Sequence, residues 1–271
     1  MSGLTLRLRE QPPQRCDLSA LTPDRLAKVD GPVERIEIQT TRERLCVGDL
    51  LAVEPGDADD IRLEGGSERF DYVGSGMSRG RITVVGDLGQ QAGRGMSGGS
   101  ISVEGNVSRL AGSAMSGGRL EISGDAGPLV GAPLPGEAHG VSGGVIRIGG
   151  SVGERAGDRM RRGLIVVEGT AGDHPASRMI GGTIVCFGEA GRHPGYLMQR
   201  GTLIVGAGAP ELTPTFIDTG IHELVAMRLI ARWLLDEGIQ GASLLGTRLR
   251  RLMGDTAVLG KGEIFVPAET D

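Results

Sequence analysis

From residue 77 onward, apolar and polar residues alternate in short runs, and most of these runs end on glycine. Ile82 and Val84 precede Gly86, Ile101 and Val103 precede Gly105, Ile146 and Ile148 precede Gly150, and Ile165 and Val167 precede Gly169. A period of two marks a half-buried strand, because successive side chains point to opposite faces of the pleat. The runs recur every 19 residues with a single interruption, giving seven copies opened by Met77, Met96, Met115, Val141, Met160, Met179 and Met198. Three residues further on every copy carries glycine, from Gly80 to Gly201. Such a column marks a corner that needs positive φ or close backbone approach. So short a unit has no room for a strand, a helix and their connections, so each copy predicts one coil of a solenoid whose strands pair with those of the next coil. Ile61, Leu63 and Gly65 repeat the strand-glycine phrase once more upstream. The expected architecture is mainly β: a right-handed parallel β-helix of seven to eight ~19-residue coils spanning residues 56–210.

The flanks break the period. In residues 1–55, Leu4, Leu6 and Leu8 alternate as in a strand, and Thr22 followed by Pro23 suits a helix N-cap and first helical position. Short strands are expected at 35–38 and 45–51, and the whole as a small cap over the first coil's strand edges. In residues 211–271, Ile221, Leu224, Met227, Ala231 and Leu234 share a helical stripe with Trp233 nearby, which predicts a helix from about 219 to 237 ended by Gly238. A last strand is expected at 263–266. Outward strand positions are polar in early coils (Thr83, Ser100, Ser102, Glu121) and apolar in later ones (Leu164, Val166, Val185, Phe187, Ile204). That late flank needs a cover, either this helix or a partner.

Composition adds limits. Glycine makes up 48 of 271 residues, far above the usual ~7%, but its periodic placement signals architecture and not disorder. Only 3% of residues are aromatic and the net charge is −5, which argues against base-stacking platforms and nucleic-acid partners. No stretch approaches the ~20 apolar residues of a membrane span, and a cytoplasmic, membrane-free protein is expected. Cys16, Cys46 and Cys186 form no CxxC pair, and with His139, His174, His193 and His222 they offer no zinc or iron-sulfur spacing.

Several columns carry polar chemistry. Ser78, Ser97, Ser116 and Ser142 stack at one corner, and Asp87, Asn106 and Asp125 at another; beside turn glycines both types ordinarily bond the local backbone. His174 and His193 share a position with Arg155 one coil earlier. Arg155, Arg159, Arg161, Arg162, Arg178, Arg192 and Arg200 crowd the loops of coils four to seven. They form either a positive strip for an anionic ligand or acidic partner, or a solvated face paired with Glu154, Asp158 and Asp173. The interruption inserts seven residues at 132–138, a Pro-containing loop that is either a docking element or a flexible tip.

The Gly-cornered 19-residue repeat with its Met-Ser-Gly-Gly phrases, Val47-Gly48-Asp49-Leu50 in the cap and a helical tail resembles the C subunit of formylmethanofuran dehydrogenases and of the related bacterial formyltransferase/hydrolase complex. The repeat region alone is similar to the C-terminal β-helix of the glutamate synthase large subunit. The resemblance implies a noncatalytic scaffold with A, B and D subunits as partners. It also implies formyl transfer from formyl-tetrahydromethanopterin through a methanofuran-type carrier to formate, with metal and carrier on those other subunits and no catalytic residue here. An Arg- and Ala-rich chain without Lys/Glu enrichment favours the bacterial hydrolase complex over the archaeal-type tungsten or molybdenum dehydrogenase. Arg155, Arg162 and Arg178 are then the candidates for the carrier's anionic tail or an acidic partner. A self-assembling β-helix structural protein is the remaining alternative. A left-handed acyltransferase helix fits less well, since its corners fall every six residues.

Overall fold

The computed structural model describes residues 2–209 and 211–268, so the boundary expected at 210 and the tail at 269–271 lie outside the described residues. The N-terminal part comprises β1 (Gly3–Leu8), β2 (Cys16–Asp17), α1 (Pro23–Leu26), β3 (Glu37–Thr40), β4 (Leu45–Cys46), α2 (Val47–Leu50) and β5 (Leu51–Glu54). Thr22 and Pro23 stand at the N-cap and first position of α1. The coils follow as β6 (Asp57–Glu64), β7 (Phe70–Asp71), β8 (Arg81–Val85), β9 (Ser100–Glu104), β10 (Arg119–Ile122), β11 (Val145–Ile148), β12 (Leu164–Val167), β13 (Thr183–Cys186) and β14 (Arg200–Val205). The chain ends with β15 (Ile217–His222), α3 (Val225–Asp236), β16 (Leu249–Gly254) and β17 (Lys261–Pro267).

Thirteen strands form one sheet in the order β15-β16-β17-β14-β13-β12-β11-β10-β9-β8-β6-β1-β5. From β1 through β14 to β17 every neighbour is parallel, as stacked coils require. The register aligns the aliphatic column: Ile61, Ile82, Ile101, Leu120, Ile146, Ile165, Ile184, Leu203 and Ile264 are successive partners. None of these side chains is more than 1% exposed. The ladder crosses the insertion without a shift, since β10 and β11 pair residue for residue. The sheet runs one rung past the expected coils at each end: β1 adds Leu4 opposite Ile61, and β17 adds Ile264 opposite Leu203. Antiparallel β5 lies at one edge and β16 and β15 at the other.

Two further columns complete the core. Leu88, Val107, Ala126, Val152, Ala171 and Ala190 form single-residue parallel bridges up a second side. The residues that open each copy, Met77, Met96, Met115, Val141, Met160, Met179 and Met198, are fully buried. Each reaches under the glycine corner of the next coil, and a Cβ on Gly118 would stand 2.6 Å from Met96 Cε and 2.8 Å from the Gly99 carbonyl oxygen. The corner glycines also have φ from +74° to +107°. Backbone conformation and packing therefore both demand glycine there.

The C-terminal helix begins later than the hydrophobic stripe predicts. Residues 217–222 form β15, antiparallel to β16, and α3 starts at Val225. Ile217, Thr219 and Ile221 are β-branched and Gly220 sits at φ +91°, a combination that favours a strand with a ladder partner over a first helical turn. Ile221 is accordingly 41% exposed and outside the buried stripe. The remaining stripe holds: Met227, Ala231 and Leu234 pack on Val166, Val185, Ile204 and Phe265. The late apolar flank is thus covered within the chain, and full burial of a side chain such as Leu234 contributes roughly 2 kcal/mol. Gly238, at φ +82°, follows the helix end.

Candidate functional site

The third side of the rod is a tight turn in which alternate residues are left-handed. Tyr72, Gly74 and Gly76 lie at φ +58°, +71° and +70°; two rungs on, Leu110, Gly112 and Ala114 lie at +63°, +65° and +54°. This conformation aims backbone N–H groups up the rod: Gly76 N donates to the Arg94 carbonyl and Gly95 N to that of Ser113, both at 2.8 Å. The first of these places carries a side chain in every coil, from Tyr72 to His193, whereas the last changes from Gly76 and Gly95 in early coils to Arg159 and Arg178 in later ones. Arg155 and Arg159 stand at +58° and +50°, His174 and Arg178 at +57° and +52°, and His193 at +52°. A left-handed non-glycine residue carries strain of about 1 kcal/mol. Arg159 and Arg178 are therefore held at a conformational cost that Gly76 and Gly95 avoid in the early coils.

Arg155 and Arg178 are brought together on one carboxylate. Asp158, only 3% exposed, receives two hydrogen bonds from Arg178 at 2.9 and 2.6 Å and one from Arg155 at 3.3 Å. Burial pushes the Asp158 carboxyl up, opposed by the charges of Arg155 and Arg159 and a hydrogen bond from Ser177. The two-point fork from Arg178 favours the ionised form. The inserted loop folds down beside this cluster. Glu137 accepts from Arg94 at 2.6 Å and its carbonyl from Arg159 at 3.2 Å, so one earlier and one later coil hold the loop. Its carboxyl is held below the usual range chiefly by the bond to Arg94. Between loop and rod lies a cavity of about 360 Å³ where Arg109, Arg155, Arg159 and Arg178 face Asp158 and the Pro133–Gly136 segment. Four guanidinium groups against one carboxylate favour an anion.

Arg162 is not part of this cluster. It lies exposed at the glycine corner leading into β12, with no carboxylate within ion-pair distance among the described residues. Arg192 pairs with Asp173 at 2.6 Å. His174 and His193 stack with ring centroids 5.5 Å apart, and Tyr196 meets His174 edge-on. Among the described residues, no group of three or more His, Cys, Asp or Glu side chains could hold a metal ion. The Asx column is a backbone ladder: Asp87 accepts from Asn106 N at 2.7 Å, Asn106 from Asp125 N at 2.8 Å and Asp125 from Ser151 N at 2.7 Å. No helix of the described residues is long and apolar enough to cross a membrane.

Arg109 and the anchoring of the loop escaped the sequence reading. A signal for the cluster was present: Arg159 and Arg178 replace the glycines found at Gly76 and Gly95.

Residues 85–215, the stretch that holds β9 to β14, match the GXGXG motif family. The C subunit of the formyltransferase/hydrolase complex Fhc from Methylorubrum extorquens is 55% identical over 265 residues, covering 97% of this chain and 99% of that protein. The chain belongs to this C-subunit family. An X-ray crystal structure of the formyltransferase/hydrolase complex (FhcABCD) from the same organism, in complex with methylofuran, contains a chain that superposes with TM-score 0.93 at 44% identity. The superposition covers 98% of this chain and 100% of that one. The likeness thus includes the N-terminal part and the α3 region as well as the coils.

Proposed function

We propose that the chain is a noncatalytic scaffold subunit of a cytoplasmic formyltransferase/hydrolase complex. Its A, B and D partners carry out formyl transfer from formyl-tetrahydromethanopterin, by way of a methanofuran-type carrier, to formate. The observation that carries the reading is the near full-length likeness to the C subunit of Fhc. The noncatalytic part is supported by the fate of the polar columns, which bond to neighbouring coils: the Asx ladder, Asp173 with Arg192, and Asp158 with Arg178. Three free cysteines, two of them buried, suit a reducing compartment. Omitting the chain from co-expression of the four subunits is expected to leave A, B and D unable to purify as one active assembly. Substituting Asp125 or His174 by Ala is expected to leave turnover of the assembled complex unchanged. Loss of turnover in an intact complex after either substitution would overturn the noncatalytic reading.

A second reading concerns the arginine cavity under the 132–138 loop, where Arg155 and Arg178 suit an anionic group such as the carrier's acidic tail, while outward Arg162 suits an acidic partner. Replacing Arg155, Arg162 and Arg178 with no loss of assembly or carrier retention would remove it.

A further inference from the structure

The outer face of α3 is apolar where a surface helix is ordinarily polar. Its inner face is used up on the rod by Met227, Ala231 and Leu234. On the opposite side, Val225, Leu229 and Trp233 follow at four-residue spacing, 70%, 64% and 39% exposed. Leu229, Ile230 and Trp233 form one wall of a groove of about 320 Å³, and Gly163, Leu164 and Thr183 of the coils form the other. An exposed apolar stripe continuous with a groove marks a contact surface.

Arginines without an ion-pair partner among the described residues adjoin the lining of this groove. Arg162 immediately precedes Gly163 in the groove wall, and Arg200 stands at the same corner two coils later, roughly 10 Å away at ~4.8 Å per rung. Arg232 adjoins Trp233 on the helix. All three are exposed, and none has a carboxylate within 4 Å among the described residues, whereas Arg155, Arg178 and Arg192 are all paired inside the chain. In a chain of net charge −5, this local surplus of cations sets the sign of the partner.

We propose that the groove between α3 and the corner of β12 and β13, rimmed by Arg162, Arg200 and Arg232, docks an amphipathic segment of a partner subunit that places apolar side chains in the groove and carboxylates on the rim. The proposal rests on the scaffold reading and names the surface that the scaffold uses. Trp233 and Leu229 supply the apolar anchors, and the arginines set orientation and salt dependence.

The test uses the full chain with the purified A, B and D subunits. Wild-type chain is expected to co-elute with them on size-exclusion chromatography, with affinity falling as NaCl rises. Leu229→Glu combined with Trp233→Ala is expected to weaken association at least tenfold. Arg162→Glu with Arg200→Glu is expected to weaken it similarly and flatten the salt dependence, while Arg42→Glu with Arg44→Glu in the N-terminal part leaves both unchanged. Unchanged thermal unfolding of each isolated variant shows that the fold survives. A photo-crosslinking residue at position 229 in the assembled complex should capture a peptide carrying Asp or Glu beside apolar residues. If wild type assembles and both groove variants assemble equally well, the docking proposal fails while the scaffold reading stands. If wild type itself binds none of the three subunits, the scaffold reading fails. Capture of a second copy of this chain, or of a segment without carboxylates, overturns the proposal.

Discussion

Replacing Gly118 by alanine separates the two demands that hold the corner column at glycine. At φ +79° an alanine carries left-handed strain of about 1 kcal/mol. Its Cβ would also stand 2.6 Å from Met96 Cε and 2.8 Å from the Gly99 carbonyl oxygen. The methionine tip can move, but the carbonyl belongs to the coil ladder, so overpacking adds about 1–3 kcal/mol. The total loss is about 2–4 kcal/mol. Gly95 supplies the control, since its φ is +62° but a Cβ there meets nothing within 4 Å. Gly95→Ala should therefore cost only the strain, about 1 kcal/mol. Ala114 already occupies the position equivalent to Gly95 at φ +54°, so Ala114→Gly should stabilise by a similar amount. Urea unfolding followed by far-UV circular dichroism gives all three values. Equal losses for Gly95→Ala and Gly118→Ala, or destabilisation by Ala114→Gly, would refute the division into conformational and packing demands.

Asp158→Asn leaves the partly exposed Arg178 and Arg155 without their shared carboxylate and should lower stability by about 1–2 kcal/mol; Arg192→Ala, at an open pair, should leave the urea midpoint in place. Asp24 accepts hydrogen bonds from Ser78 Oγ and N at 2.6 and 2.8 Å, which hold its carboxyl below the usual range. A depressed folded value stabilises fully above the unfolded value of about 3.9 and fades as pH falls through the folded one. Asp24→Asn should accordingly flatten the loss of stability between about pH 5 and 3, and an unchanged slope would contradict it. Cys186, whose thiol burial pushes up to about 11, should resist alkylation at pH 8 until the chain unfolds, while half-exposed Cys46 labels first; peptide mass spectrometry reads the order.

The coils were legible because a 19-residue period converts sequence neighbours into spatial ones. A single aliphatic column with glycine at a fixed offset specified strand, corner and register together, and β6 followed from the same phrase. The start of α3 was not legible. The stripe from Ile221 to Leu234 satisfies helical spacing, and only pairing with β16, some 30 residues on, draws its first part into β15. Burial of the opening methionines was missed for another reason: a residue beside a corner glycine reads as part of a turn until the next coil is laid over it.

The arginines extend that lesson to the site. In the sequence they form one cationic strip, yet the solenoid divides it by corner. On the left-handed turn, Arg155 meets Asp158 three residues on within its own coil, and Arg178 reaches the same carboxylate because the next coil superimposes that turn. On the glycine corner, Arg162 and Arg200 find no such carboxylate among the described residues, because the adjacent rungs offer Gly143 and Gly181 there and β17 sets Lys261 opposite Arg200. Charge that is neutralised within the rod fixes the loop at 132–138 and shapes the cavity beneath it. Charge left unmatched beside the exposed face of α3 has no such use within the chain, so in this fold the position of an arginine within the coil decides whether it braces the rod or is left facing outward, where the proposed partner would meet it.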